Sequence, residues 1–288
     1  LIKKILRKKK LNSNLAGVTF FENFRSLVKK NNIDGYILAT PVSSHYEYAR
    51  KIIKRKKPFI IEKPIVKNTY ELENLYEICK NYKHSIFVNH TDLYNPAFFQ
   101  FLKRIKLVGK FKQIDMTFGK LQKVKLNNNS LDENSNLPSF DWLPHPIAII
   151  IKLGGLPKKI FIKKNSITIE NNNIFQKSII HIFCKKMSIK LNFSNKYINP
   201  KKKILINGTR NSLMYDGYRR AVFLKKNKEK YFKKVFYSKK RPLDNLLDKF
   251  YFSLKNKQPR NDMRLAYKTM KIIFQIENEM KSKLNLNI

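Results

Sequence analysis

Residues 34–64 read DGYILATPVSSHYEYARKIIKRKKPFIIEKP, and this stretch decides the fold. Tyr36-Ile37-Leu38-Ala39 is a short apolar run between Asp34-Gly35 and Thr40-Pro41, the pattern of a buried strand. From Ser44 to about Arg55 the period becomes helical, with Tyr48, Ile52 and Ile53 on one side and lysines on the other. Phe59-Ile60-Ile61 is a second short strand that runs into Glu62-Lys63-Pro64. Strand, crossover helix and strand at this length make a βαβ unit with parallel strands. Ligands of such sheets sit outside the carboxyl ends of the strands. Those ends carry Ala39-Thr40-Pro41 and Glu62-Lys63-Pro64.

Composition sets the outer bounds. The 288 residues, 42% of them hydrophobic, suffice for one large domain or two ordinary ones. No apolar run is long enough to span a membrane, and the basic start Leu1–Arg7 lacks a signal-peptide core, so a cytoplasmic protein is expected. Cys79 and Cys184 stand far apart and read as buried thiols of a reducing compartment. The five histidines, at 45, 84, 90, 145 and 181, have no metal-ligand spacing, and no metal is expected. The net charge of +41 invites a nucleic-acid reading, since basic stripes neutralise phosphates. Here, however, the lysines are spread over every segment together with asparagine and isoleucine, and no zinc-finger, RNP or zipper pattern accompanies them. General attraction to polyanions, or an acidic substrate, follows more directly than specific recognition.

Ala39-Thr40-Pro41 with His45 four residues on, then Glu62-Lys63-Pro64, resembles the glucose–fructose oxidoreductase / inositol dehydrogenase / MocA family. Its members are nicotinamide-dependent sugar oxidoreductases. The resemblance implies an α/β fold: an N-terminally truncated Rossmann domain with a parallel sheet over residues 1–92, then an α+β domain with a large open, mostly antiparallel sheet over residues 93–288, whose closing helices, about 242–283, pack back. Leu1–Leu6 and Val18–Phe21 read as strands and Glu22–Asn31 as a helix. No Gly-x-Gly-x-x-Gly turn appears before Asp34, where the family has one, so the domain reads as incomplete at its N-terminus and the pyrophosphate site is either outside this sequence or lost. If Leu1–Leu6 is the family's second strand, Arg7 lies at the adenosine ribose. There an arginine suits a 2′-phosphate, and a solvated charge run explains it equally well, so NAD and NADP both stay open.

Further along, Thr69–Tyr82 is an amphipathic helix and Ser85–Val88 a strand ending in Asn89-His90, which the resemblance puts beside the nicotinamide. Tyr94-Asn95-Pro96 opens a helix to Ile105. Phe111–Phe118 begins the second sheet, and the polar stretch 126–138 reads as a loop over the site. In Asp141-Trp-Leu-Pro-His145-Pro the prolines fit only a first helical turn, so a helix starts near Leu143 and ends at Gly154-Gly155, with Asp141 and His145 on one side. Alternation from Lys158 to Leu224 gives strands, including a hairpin over 206–213. Pro242–Lys255 and Met263–Lys283 are closing helices.

The chemistry implied by the resemblance is hydride transfer between NAD(P) and a sugar or nucleotide-sugar carbon, in the manner of enzymes of surface-polysaccharide synthesis. Such a reaction needs a base at the hydroxyl as the hydride leaves. Lys63 takes that role by resemblance; burial and an oxidised nicotinamide would both disfavour its ammonium. His145, as an imidazole that titrates near neutrality, is a second proton carrier, and Asp141 orients substrate or Lys63. The same likeness assigns Arg7, Ala39, Thr40, Pro41, His45, Glu62, Lys63, Asn89 and His90 to the cofactor, and Lys63, Tyr94, Asp141 and His145 to the substrate. The bland alternatives are an N-cap for Asp141, a surface lysine for Lys63 and a structural histidine for His90. A homodimer or homotetramer through the open sheets is expected. The rivals are a non-catalytic protein of the same fold, redox-assisted glycoside cleavage, and a basic nucleic-acid-binding protein.

Overall fold

The computed structural model describes residues 19, 21, 23–28, 32–125, 137–185 and 187–284. The expected strands at Leu1–Leu6 and Val18–Phe21, Arg7, and most of the 126–138 loop fall largely outside these residues. The chain forms two compact units, Leu1–Asp34 and Gly35–Ile288. In the first, the described residues include one short helix, α1 (Phe24–Val28), entered through Asn23, whose side chain accepts from the Ser26 amide at 2.9 Å.

The second unit opens with the βαβ element. β1 (Tyr36–Leu38), α2 (Val42–Lys54) and β2 (Phe59–Ile61) are followed by α3 (Thr69–Cys79) and β3 (Ile86–Val88). The three strands are parallel in the order β1-β2-β3, with Ile37 level with Ile60 and Ile60 with Phe87. The helix α2 buries His45, Ala49, Ile52 and Ile53, whereas Tyr48 stays half-exposed. α3 starts at Asn68, whose side chain caps the Glu71 amide at 2.8 Å. β2 and β3 are fully buried, but β1 is not: Ile37 is 59% exposed. α7 (Pro242–Lys255) lays Leu246 and Phe250 over Ile60, Phe87 and Tyr94. Each such buried side chain contributes about 1.5–3 kcal/mol.

After β3, a 3-10 turn (Thr91–Tyr94) leads into α4 (Pro96–Arg104), capped by the Asn95 side chain on the Ala97 amide. The second sheet has nine strands. They are β4 (Phe111–Gly119), β5 (Val124–Lys125), β6 (Lys159–Glu170), β7 (Asn173–Cys184), β8 (Met187–Ser194), β9 (Lys201–Gly208), β10 (Asn211–Asp216), β11 (Ala221–Lys226) and β12 (Lys233–Tyr237). Their order is β12-β11-β10-β9-β4-β8-β7-β5, with β6 also on β7. All pairs are antiparallel except β4 with β8. The expected hairpin over 206–213 is the β9–β10 pair.

Two short helices replace the single expected start near Leu143: α5 (Pro138–Trp142) and α6 (Pro144–Gly154). The chain stays helical through Leu143, since the Leu143 amide bonds Ser139 O and the Ile147 amide bonds Leu143 O. Pro144 and Pro146 lack an N–H and only thin the ladder between them. Asp141 is therefore in the last turn of α5 and is not an N-cap. α8 (Met263–Leu284) packs on α6 and α3, tying the two sheets together. No helix among the described residues is long and apolar enough to cross a membrane.

Candidate active site

The carboxyl ends of β1 and β2 open onto a cavity of about 480 Å³ that includes Thr40, His45, Glu62, Lys63, Gln122 and Asp141 in its lining. Parallel pairing forces these ends together: Leu38 is level with Ile61, so Thr40 and Lys63 leave the sheet side by side. Ala39, Thr40 and Pro41 are exposed there. His45, buried in the first turns of α2, clips the two ends, its ring nitrogens lying 2.8 Å from Thr40 O and 2.9 Å from Pro64 O.

Lys63 is mostly buried and its ammonium donates to Asp141 twice, to the carbonyl at 2.7 Å and to Oδ1 at 2.5 Å. The carbonyl is free to accept because the last carbonyls of a helix such as α5 lack intrahelical donors. Gln122, just past β4, holds this arrangement from the other side. Its Nε2 reaches Asp141 Oδ2 at 3.5 Å, and its Oε1 accepts from Trp142 Nε1 at 2.6 Å. Asn89, at the end of β3, donates to Glu62 Oε1 at 2.5 Å and so fixes a carboxylate of the cavity wall.

His145 does not share that cavity's lining. It is 7% exposed, and its Nδ1 lies 3.4 Å from Asp92 Oδ2 without hydrogen-bond geometry. Asp92 is itself buried and accepts from Lys202 at 3.0 Å and from the Tyr215 hydroxyl at 2.9 Å. The expectation that His145 titrates near neutrality is corrected: burial first, then the charges of Lys202 and Lys63, push it well below 6.5. The expectation that Asp141 and His145 face one ligand is also modified. On the helical run from α5 to α6 Asp141 turns to Lys63 and His145 to Asp92.

Two further residues lie elsewhere than expected. Tyr94 is 2% exposed, packs in the core under α7 and donates its hydroxyl to Asp262. His90 is 4% exposed, and burial holds it down at about 4. Neither lines the cavity at Lys63. His90 is still near enough to Lys63 for that charge to bear on its ring. Arg7 lies outside the described residues. Asp92, Gln122, Lys202 and Tyr215, by contrast, are polar residues of this region that no motif marks; Lys202, for one, is the middle of the ordinary-looking run Lys201-Lys202-Lys203.

The parallel βαβ sheet, with Lys63 held by Asp141 at a strand end, has the layout of a Rossmann-like nucleotide domain. Residues 3–90 match the family model described as oxidoreductase family, NAD-binding Rossmann fold. That model is the Gfo/Idh/MocA one, and its match covers the Rossmann part of the chain. Oxidoreductase P35 of Formosa agariphila is 24% identical over 216 residues, 71% of this chain and 66% of that relative, just under two thirds of its length. The fold is shared with UDP-N-acetylglucosamine 3-dehydrogenase GnnA from Acidithiobacillus ferrooxidans, at a TM-score of 0.73 and 16% identity, covering 94% of this chain and 85% of that one. It is shared as well with a levoglucosan dehydrogenase solved with NADH and levoglucosan, at a TM-score of 0.73 and 15% identity, covering 91% and 82%.

Proposed function

We propose that this chain transfers a hydride between NAD or NADP and a hydroxyl-bearing carbon of a sugar or nucleotide-linked sugar, with Lys63 exchanging the hydroxyl proton. The observation that carries the proposal is the double grip of Asp141 on Lys63, across 78 residues of sequence, at the carboxyl end of β2. An ammonium has three N–H donors; Asp141 takes two and leaves one for an oxygen in the cavity. For ketone reduction, Lys63 gives that proton to the carbonyl oxygen. For alcohol oxidation, the neutral amine accepts it from the hydroxyl. Gln122 limits rotation of the Asp141 carboxylate, so the ammonium keeps its aim. His145, buried beside Asp92 and held neutral, lies outside the lining of the cavity and is given no proton-transfer role here.

The residues present fit the nicotinamide end of a dinucleotide. The cavity of about 480 Å³ falls within the roughly 300–1,000 Å³ of small-ligand sites, and it lies where parallel sheets take such ligands. Thr40, Pro41, His45 and Glu62 would hold it, with Asn89 fixing Glu62. When bound, the nicotinamide supplies the hydride acceptor or donor. Two proteins of the same fold are named as dehydrogenases of a nucleotide-linked sugar and of levoglucosan, and a net charge of +41 favours an anionic, nucleotide-linked substrate.

The test is turnover of NAD or NADP with free and uridine-diphosphate-linked pyranoses, followed by the fluorescence of the reduced nicotinamide. At least one nucleotide-linked sugar is expected to turn over. Lys63→Met is expected to lower kcat about 10²–10⁴-fold while cofactor affinity stays within about threefold. An unchanged kcat in Lys63→Met removes Lys63 from the chemistry, and an absence of turnover with every sugar overturns the reading.

A further inference from the structure

A second cavity, of about 590 Å³, lies where the end of β3, α4, the C-terminal turns of α6 and the start of α8 meet. It shares no lining residue with the cavity at Lys63. Its walls carry five cations, Lys152, Lys249, Arg260, Arg264 and Lys268, against one acid, Asp262. That acid is already engaged by Arg260 Nε at 2.7 Å, by the Tyr94 hydroxyl and by the Val88 amide at 3.4 Å. Among the described residues, Lys152, Arg264 and Lys268 have no acidic partner. Cations gathered around a concave, low-dielectric wall repel one another and focus a positive field into it.

His90 supplies the second, independent observation. It lines this cavity at 4% exposure, and neither ring nitrogen has a hydrogen-bond partner. A neutral imidazole carries one donor and one acceptor, and buried polar groups in folded proteins are almost always satisfied. Packing alone asks for no histidine here, since Val88, Leu93 and Phe98 show that apolar groups fill the same wall. Phe98, Leu102 and Leu265 give the cavity an apolar side opposite in character to its cationic one.

We propose that this cavity binds a phosphate-bearing small molecule with a planar apolar part, of the nucleoside monophosphate type. Lys152, Arg264 and Lys268 hold its phosphate, Phe98 and Leu102 receive its ring, and His90 makes the hydrogen bonds it lacks. The site is separate from the catalytic reading of Lys63 and does not rest on it. It is nonetheless a neighbour of it, because Asn89, adjacent to His90, holds Glu62 in the first cavity.

The test is calorimetric titration of the full chain with uridine monophosphate at physiological ionic strength. Arg264→Ala/Lys268→Ala, a surface change that spares the core, is expected to weaken binding about tenfold or more. The charge-matched control Lys228→Ala/Lys230→Ala, on the exposed β11–β12 turn, is expected to stay within about threefold, as is Lys63→Met. Inorganic phosphate is expected to bind more weakly than the nucleotide, and the nucleotide is expected to shift the ring ¹⁵N resonances of His90, assigned with His90→Gln. Absent binding, equal losses in the two double variants, loss of binding in Lys63→Met, or an unmoved His90 resonance would each overturn the proposal. Phosphate binding as tight as the nucleotide would overturn the ring-binding half of it.

Discussion

Glu277, on α8, is an acid whose surroundings reverse its usual preference. It is 3% exposed, and its Oε1 accepts from the Leu137 amide at 2.7 Å, where α5 begins without a side-chain cap. Burial raises it from 4.5 to about 7, against the weaker opposing pulls of Lys281 and the Leu137 amide. The fold thus favours the neutral acid, while the unfolded chain ionises near 4.5. Its contribution is fully present below that pH and is lost as pH rises through about 7. Glu277→Gln is neutral at every pH and can still accept from Leu137. The variant and the parent are expected to unfold alike in urea at pH 4.5, with the variant more stable by roughly 3 kcal/mol above pH 7. Equal stabilities at both pH values would mean that Glu277 is solvated as an ordinary carboxylate. The same physics separates residue types from their states in the candidate site. Lys63, Asp141 and His145 could be named from a family-like pattern in the sequence. That His145 is held neutral, and that Tyr94 points into the core, depends on which atoms crowd around them, and no spacing encodes that.

Among the elements, β4 carries the heaviest constraint, because it is the central strand between β8 and β9 and delivers Gln122 to the site. It ends at Gly119, whose φ is +141°, and a Cβ there would come within 1.9 Å of Ser194 O. Gly119→Ala adds a strained backbone and a clash against main chain that cannot swing aside, so a loss of roughly 3 kcal/mol or more is expected. Urea unfolding measures it. Fluorescence of Trp142, the one tryptophan and the donor to Gln122, would shift in the folded variant if the site loosens with the strand. A variant as stable as the parent would show that β4 and β8 can part at this end without penalty. Strands and helices with clear period were readable from residue order: α7 spans Pro242–Lys255 and β2 Phe59–Ile61, as their patterns require. The break between α5 and α6 was not, because prolines in sequence mark where amides are missing, and only packing decides whether the chain turns or continues. Gln122 was invisible for a related reason: it follows a strand at a place where any polar residue would have been compatible with the pattern.

At the scale of the whole molecule, 61 basic residues face 20 acidic ones. Acids find partners readily: Glu47 with Lys51, Glu170 with Lys196 and Asp244 with Arg241 are examples. These pairs are largely exposed, and such pairs contribute little. The excess of cations is the larger effect, since like charges spread over a compact surface repel and the unfolded chain relieves that repulsion by expanding. Sodium chloride shortens the screening length from about 10 Å at 0.1 M to about 3 Å at 1 M, so it should stabilise the fold. Across that range Tm is expected to rise by about 5 °C, equivalent to roughly 2 kcal/mol for a chain of this size. Chloride is the right anion, because sulfate would also strengthen apolar burial and mix two effects. The same excess predicts retention on DNA without sequence preference, falling steeply with salt as counterions are no longer released. Retention that discriminates between sequences, and survives the salt that raises Tm, would assign the positive charge to a specific nucleic-acid surface; a Tm that falls with chloride would show that repulsion is not what limits this fold.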